Sequence, residues 1–577
     1  MSESTGGKTG TDIIISDMSH CKPKSAISKR ETRNRWQLMA YRTYDAEPQS
    51  GVMLGAPSFV TAPEVTLPLD ISGWHAISIG VWIPKHDYDG ATTIKVKLDT
   101  DPCFSRISEP EPVFGAQPKD GASLLKEAHF KTADLTGRSL VFAKIGGTSA
   151  KKAYIAYVRL TPLDDAAVRA LQSDRSRPDT RIVQATIDGI SFFGGEYRTR
   201  EQILELVEPY RHSDVGKVTW AFCYGDTVNY PSKVGIFLGG VRKGSHNVGQ
   251  ESLRQLAADG CIPQAIVAEQ VHGMGLKFEA MFRLGMFGHV PPQRWFPTGR
   301  KGFVESHPQF RLCMADGTPV EKASYAFPEV RALMLGIIRE SAEMFDIDGV
   351  SLAFNRGPLF VAWEKPVLDD FRKEFKEDAR KLPLGDPRLC QIRFRYLNEF
   401  VRDARRVLDE VGKAKGKRLE LSVWYQGHAQ DERAYSGIDV ETWIREGLLD
   451  SLVGSVGGNT GMDPAIIAAA NAQGCRAITG LVCSGGTTHE SRKGLLTNAT
   501  KLLYPAGIDG IALWDSDTLP AGELWPVLRR MGHRDEFFAM AENPPERPII
   551  GLKDVEGCNM EAENGRFGLG QAAYSCG

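Results

Sequence analysis

From about residue 50 to residue 162 the apolar positions recur every second residue. Ile94, Val96 and Leu98 alternate with Lys95 and Lys97, and His75, Ile77, Ile79 and Val81 alternate with small residues, as strands with one buried face do. Further runs at 139–145 and 153–160 are broken by Gly and Pro at short intervals, without a long helical pattern between them. Strands of this kind predict an antiparallel β-sandwich over residues 31–163. Ahead of it, residues 1–30 show no apolar period and scatter Lys22, Lys24, Lys29 and Arg30 among Ser and Pro, so they read as a disordered tail.

Past a polar linker at 164–180 the pattern changes. Eight short, mostly apolar runs follow, at 182–187, 218–223, 276–282, 349–354, 419–424, 451–456, 476–481 and 510–514, as strands buried on both faces would. Amphipathic stretches between them open on Thr199, Pro328 and Asp439, residue types that start helices. Eight strand–helix repeats predict a (β/α)₈ barrel over residues 181–542, an α/β fold preceded by the sandwich. The rival, a doubly wound open sheet, would carry a Gly-rich phosphate turn after its first strand. The Asp188-Gly-Ile-Ser-Phe-Phe-Gly-Gly found there is not that turn. From residue 543 on, Pro and Gly break the pattern, predicting a tail or added strand packed on the barrel or the sandwich.

Lys and Arg total 70 against 72 Asp and Glu, a formal net charge of −2, so no basic excess draws in nucleic acid. No apolar run reaches the roughly 18 residues of a membrane span, and residues 1–24 lack a secretory apolar core. The chain is expected to be cytoplasmic, with neither nucleic acid nor membrane as partner. The ten cysteines stand singly, which disfavours a zinc ribbon and a disulfide scaffold. His272, His289, His428 and His489 fall near the third, fifth and seventh strands without HxH or HExxH spacing, and no GxSxG elbow occurs. No metal or other cofactor is therefore expected.

In such a barrel the reacting groups sit where strands end and the following loops begin. That rule selects Asp188 after the first strand, Tyr224 and Asp226 after the second, Arg283 after the third, and Asn355 and Arg356 after the fourth. Gln426 and His428 follow the fifth, Asn459 the sixth, His489 and Glu490 the seventh, and Asp515 and Asp517 the eighth. Charged and aromatic groups gather at one end, as a polar ligand requires.

Four segments carry a resemblance: Asp-Ile-Asp-Gly-Val-Ser-Leu-Ala-Phe-Asn-Arg-Gly-Pro from Asp346, Leu-Lys-Phe-Glu-Ala-Met-Phe-Arg from Leu276, Gly-Ile-Asp-Val-Glu-Thr-Trp-Ile-Arg-Glu-Gly-Leu-Leu-Asp from Gly437, and Gly-Ile-Asp-Gly-Ile-Ala-Leu-Trp from Gly507. These resemble the barrel of the glycosyl-hydrolase-like family 10 proteins, many of which carry a β-sandwich ahead of it. The resemblance covers most of 181–540 and implies a glycosidase acting on carbohydrate. In those relatives the fourth strand reads closer to Asp-Gly-Ile-Glu-Leu-Asp-Phe-x-Arg. Here Ser351 and Ala353 stand at the acidic positions, and Arg356 is kept. Either other carboxylates do the work or the chemistry has changed.

Glycosidic hydrolysis needs two carboxyl groups roughly 5 to 9.5 Å apart, one to protonate the leaving oxygen and one to attack or activate water. Asp226 and Asp515, on the strands that flank the first, are the expected pair, with Glu490 and Glu432 as reserves. Asp188, Asn355, Gln426, His428 and Asp517 are expected to bind substrate. Arg283 and Arg356 match arginines of the relatives and point to an acidic sugar, unless Glu279 or Asp348 holds Arg283. Tyr224, Trp424, Trp514 and Phe287 offer faces for sugar rings. Two alternatives stay open: a metal-assisted lyase or isomerase of sugar derivatives using His289, His428 and Asp226, and a non-catalytic sugar-binding barrel. In the sandwich, Trp74, Trp82, Tyr88 and Phe104 could stack on sugars, but a brace against the barrel is the favoured role, and a homo-oligomer formed through its loops is left open.

Overall fold

A computed structural model describes residues 10–44, 50–84, 91–110, 123–146, 150–187, 197–240, 248–285, 301–355, 358–426, 430–455, 462–482, 507–522, 524–542 and 549–556. The N-terminal half is antiparallel. Its larger sheet runs Ile13–Ile15, Ala153–Pro162, Ser50–Ala56, Trp36–Thr43, Ile549–Val555, Ser123–Asp134 and Trp74–Ile83. Trp74–Ile83 also pairs with Ala153–Pro162, so this sheet closes on itself. Trp82, Tyr41, Tyr157, Met39 and Met53 form one buried cluster of it. Tyr157 fits only because Gly80 has no side chain: a Cβ there would lie 2.2 Å from the tyrosine ring. A second sheet, in the order Val65–Pro68, Ser139–Lys144, Ala91–Leu98, Ser105–Pro110, lies over the first. Between them the alternating Ile94, Val96, Leu98, Ile77, Ile79 and Val81 meet in a shared core.

Two stretches depart from expectation, and a third, the added strand expected after the barrel, finds its place. Residues 10–30 are not a tail where they are described: Ile13–Ile15 pairs with Ala153–Pro162, Ile27–Ser28 pairs with Trp36–Thr43, and Met18, Cys21 and Ala26 are buried. Three isoleucines suffice for one short ladder but are too few to show a period. The linker contains a helix, Asp165–Arg175, whose first turn is capped by the Asp164 side chain accepting from Ala167 N at 2.7 Å. After the barrel the chain returns to the first domain, where Ile549–Val555 pairs with both Trp36–Thr43 and Ser123–Asp134. The larger sheet is thus completed by residues some 400 positions away in sequence.

All eight barrel strands form: Val183–Ile187, Val215–Tyr224, Lys277–Arg283, Gly349–Ala353, Glu420–Tyr425, Ser451–Ser455, Arg476–Val482 and Gly510–Trp514. Each pairs in parallel with its chain neighbour, and the first pairs with both the second and the eighth, closing the ring. Asp348, Asp450 and Asp509 each stand one residue before their strands, and each accepts from a backbone N–H at the start of the preceding strand: Phe278 N, Leu421 N and Ala477 N, all at 2.8 Å. These staples fix register at the N-terminal end of the barrel. Two of them lie in the quoted Asp-Gly segments, which are therefore barrel-building motifs.

Residues paired across parallel strands share a face, so register separates interior from exterior. Lys217, Glu279, Ser422 and Glu420 project inward at the base. Lys217 bonds Glu279 and also reaches Glu420 at 3.0 Å, while Ser422 Oγ donates to Glu279 at 3.0 Å and Lys277 pairs with Glu420. Burial raises the Glu279 carboxyl above its ordinary value, against the pull of Lys217. Burial also pushes Glu420 up, but Lys217 and Lys277 outweigh it and hold that carboxyl down to about 2.

A group held low only in the folded state stabilises fully above its ordinary value, here 4.5, and loses that contribution as the pH falls toward 2. Melting temperatures of Glu420→Gln and the unchanged protein should therefore differ most near neutral pH and converge as the pH drops to about 3. A gap that stays constant over that range would contradict the assignment.

Candidate active site at the barrel mouth

At the C-terminal end of the strands, four side chains from different strands converge. Arg283 ends the third strand and is 3% exposed. Its guanidinium carbon lies 5.5 Å from the ring centre of Tyr224, on the second strand, and 6.0 Å from that of Trp514, on the eighth. Trp514 in turn meets Trp424, from the fifth strand, edge to face at 4.9 Å. A cation over aromatic faces gains about 2 kcal/mol when desolvated. Trp424 packs close against the seventh strand because Gly480 has no side chain: a Cβ there would stand 2.7 Å from the indole. The three rings and the guanidinium pack together and are almost wholly buried.

Neither anticipated partner holds Arg283 in the way expected. Glu279 is engaged by Lys217 and Ser422 one layer below, and Asp348, at the opposite end of the strand, bonds His272 and Phe278 N. The register partner of Arg283 on the fourth strand is Ala353. Ala353 and Ser351 are both buried and inward-facing, so a methyl group is level with the Arg283 side chain on the neighbouring strand.

The eighth strand ends in Asp515, half-buried and in the left-handed region at φ +53°. That conformation costs a non-glycine residue about 1 kcal/mol, and such strain concentrates at functional sites. The next residue, Ser516, is fixed by a 2.9 Å hydrogen bond with the buried Tyr210 hydroxyl, so the turn that presents Asp515 and the half-buried Asp517 is anchored from below. Asp226 is differently placed. It follows Gly225 at φ +61°, is 2% exposed, and directs both carboxylate oxygens at the chain: Oδ1 accepts from Thr227 Oγ1 at 3.1 Å and Oδ2 from Phe303 N at 2.5 Å. It ties the loop after strand two to the short helix Phe303–Ser306, which is the geometry of a bracing carboxylate.

Asn355 is half-buried just past the fourth strand, and Gln426 is exposed past the fifth. Asp188, Phe287, His289, Arg356, His428, Asn459, His489 and Glu490 lie outside the described residues. Glu432 falls on the helix Gln430–Ser436, but its side chain is also outside them. Among the described residues, no group of three or more His, Cys, Asp and Glu could hold a metal ion, and no helix is long and apolar enough to cross a membrane.

The sandwich, expected to brace the barrel, reaches this end of it through side chains from distant segments. Glu205, buried at the end of the helix Arg200–Leu204, accepts from Arg106 Nε at 3.1 Å and Nη2 at 3.0 Å and pairs with Lys95 at 2.6 Å. Lys97 bonds Glu201 at 2.8 Å. Arg106 also lies 5.7 Å from the Tyr197 ring, close to the loop after the first strand. The helix itself begins with a capping box between Thr199 and Gln202. Phe104 is buried beneath Lys95 and Lys97, and Trp82 lies inside the larger sheet, so neither offers a face to a sugar. Trp74 is half-buried, and Tyr88 is outside the described residues.

No family model matches the sequence, and comparison with curated proteins finds no match. Among solved structures, the chain is similar to the glycoside hydrolase domain of PgaB (BpsB) from Bordetella bronchiseptica, at 14% identity over 63% of this chain and 97% of that one, with a TM-score of 0.37. Alpha-L-fucosidase isoenzyme 2 from Paenibacillus thiaminolyticus aligns at 14% identity over 63% of this chain and 50% of its own, with a TM-score of 0.39. A GH20 exo beta-N-acetylglucosaminidase from Vibrio harveyi aligns at 12% identity over 68% and 59%, with a TM-score of 0.37. Scores at this level assign no activity, and the chemistry of the mouth rests on its own residues.

Glu205 is a buried anion held by two cations from the other domain, and removing its charge leaves both uncompensated. Glu205→Gln is expected to lower stability by about 3 kcal/mol in denaturant unfolding. A change under about 0.5 kcal/mol would instead make this contact equivalent to a screened surface pair.

Proposed function

We propose that this chain is a glycoside hydrolase of the glycosyl-hydrolase-like family 10 kind, binding an acidic sugar at the mouth of its barrel. The observation that carries the reading is the buried Arg283 guanidinium, set among Tyr224, Trp424 and Trp514 and level with Ala353 on the fourth strand. Aromatic faces suit the apolar faces of sugar rings, and a guanidinium suits a carboxylate or sulfate through paired hydrogen bonds. On the fourth-strand side the register partner of Arg283 is Ala353, whose methyl group contributes no carboxylate. Asn355, Gln426 and Asp517, with Asp188, Arg356 and His428, complete the proposed sugar contacts.

Asp515 is the proposed reacting carboxylate, presented by a strained, anchored turn. Asp226, the expected second carboxylate, serves as a brace in this reading. Glu490, after the seventh strand, and Glu432, after the fifth, are the candidates for the partner role that hydrolysis requires. The seven described cysteines are buried or half-buried and form no disulfide among themselves, which suits the proposed cytoplasmic setting.

A panel of nitrophenyl glycosides and uronides tests the substrate class: uronides should be cleaved faster than their neutral counterparts, and the reverse order overturns the acidic-sugar assignment. Asp515→Asn should lower kcat by about 10³-fold or more with KM little changed. Ala353→Asp would place a carboxylate level with Arg283 and should weaken acidic-sugar binding by at least about tenfold while neutral sugars are spared. The second reading, a sugar-binding barrel without turnover, is favoured by the inward-facing Ser351 and Ala353. Calorimetric binding of uronides with no release of nitrophenol from any member of the panel would establish it instead.

A further inference from the structure

The interior of the barrel below the mouth is chemically unusual. Following the pairing register around the ring, the inward positions from base to mouth include Lys217, Gly349, Ser451 and Gly510, then Gln184, Glu279, Ser422 and Ile478, then Thr219, Ser351, Val453 and Ala512. Thr186, Met281, Trp424 and Gly480 lie above them. Layers of four drawn from alternate strands are the rule for this fold, but bulky branched aliphatics normally fill them. Here small and hydroxylic residues take most of the places.

Besides Trp424 Nε1 at the top, five of these inward side chains have polar atoms that are sealed from solvent and receive no hydrogen bond from the protein: Gln184 Oε1 and Nε2, Thr186 Oγ1, Thr219 Oγ1, Ser351 Oγ and Ser451 Oγ. All five residues are buried. A buried polar group without a partner is costly, and five facing one lumen cannot be explained as scattered exceptions. They come from the first, second, fourth and sixth strands and therefore approach the axis from around the ring. A site lined by several convergent donors and acceptors meets the requirement for internal water, which makes about three hydrogen bonds at each position it occupies. An apolar lining of the same volume would instead stay dry.

We propose that the barrel axis is a buried hydration site, in which ordered water is bound by Gln184, Thr186, Thr219, Ser351 and Ser451 between the Lys217–Glu279 pair at the base and the Trp424–Trp514 pair at the mouth. The water belongs to the fold and is independent of any sugar bound above. It satisfies the hydroxyls that the missing aliphatics would have made unnecessary, and it solvates the inner face of Glu279, whose Oε2 already accepts from Ser422.

A crystal structure of the unliganded protein at about 1.6 Å resolution tests this without any substitution. Density for water within about 3.2 Å of Thr219 Oγ1 and Ser351 Oγ is expected. An empty lumen, or xenon bound there under pressure, would overturn the proposal. The isosteric variants Thr186→Val and Thr219→Val provide a second reading with opposite signs. If the hydroxyls hold water, each variant should lower the melting temperature by about 2 °C or more. If the lumen is dry, deleting an unsatisfied hydroxyl should raise it, and a rise in both variants overturns the proposal.

Discussion

Closure of the parallel ring is the constraint on which the rest of the molecule depends. Once Val183–Ile187 pairs with both Val215–Tyr224 and Gly510–Trp514, no strand edge remains, and every second side chain of eight strands is committed to one narrow lumen. The committed residues must then suit one another in volume and charge. At the base the demand is met with ions: Lys217 lies between Glu279 and Glu420, and Lys277 neutralises the outer carboxylate. At the mouth it is met with rings, and the indole of Trp424 is admitted only because the seventh strand contributes Gly480 opposite it. Charge at one end and aromatic surface at the other are thus two answers to the same packing problem.

The antiparallel domain works as a clamp on that ring. Its second sheet presents Lys95, Lys97 and Arg106 to Glu201 and Glu205 on the helix following the first strand, and its strand Ser105–Pro110 touches the turn Ser516–Ala521 that follows the eighth. The loops on either side of the ring's closing seam are therefore steadied by the other domain. Since Asp515 stands at the head of that turn, its left-handed backbone is supported from the Tyr210–Ser516 bond beneath and from the sandwich alongside. The chain reinforces the arrangement by sending Ile549–Val555 back into the first domain, so that the barrel is covalently held at both ends.

The barrel strands were legible because strands buried on both faces must be apolar along their whole length, and the observed bounds differ from the expected ones by no more than about three residues at either end. What the periodicity could not reveal were contacts made across long stretches of sequence. The Ile13–Ile15 ladder is too short to show alternation. The place of Ile549–Val555 depends on strands more than 400 residues earlier. Register decides the remainder: Glu279 and Arg283 sit four residues apart on one strand, so both face inward, but stagger places Lys217 against Glu279 and leaves Arg283 level with Tyr224 and Ala353. The residue types of the mouth could be named from strand ends, whereas which of them meet could not.

The fourth strand bears on both levels of the barrel. A Glu at position 351 and an Asp at position 353 would point inward, the first into the axis and the second at Arg283. Ser351 and Ala353 keep out of the lumen the two negative charges that such residues would add. Two buried carboxylates would each incur a desolvation penalty of several kcal/mol, a cost that the hydroxyl of Ser351 and the methyl group of Ala353 do not bring. The fourth strand therefore brings a hydroxyl to the axis and a methyl group to the level of Arg283, with no carboxylate of its own at either place.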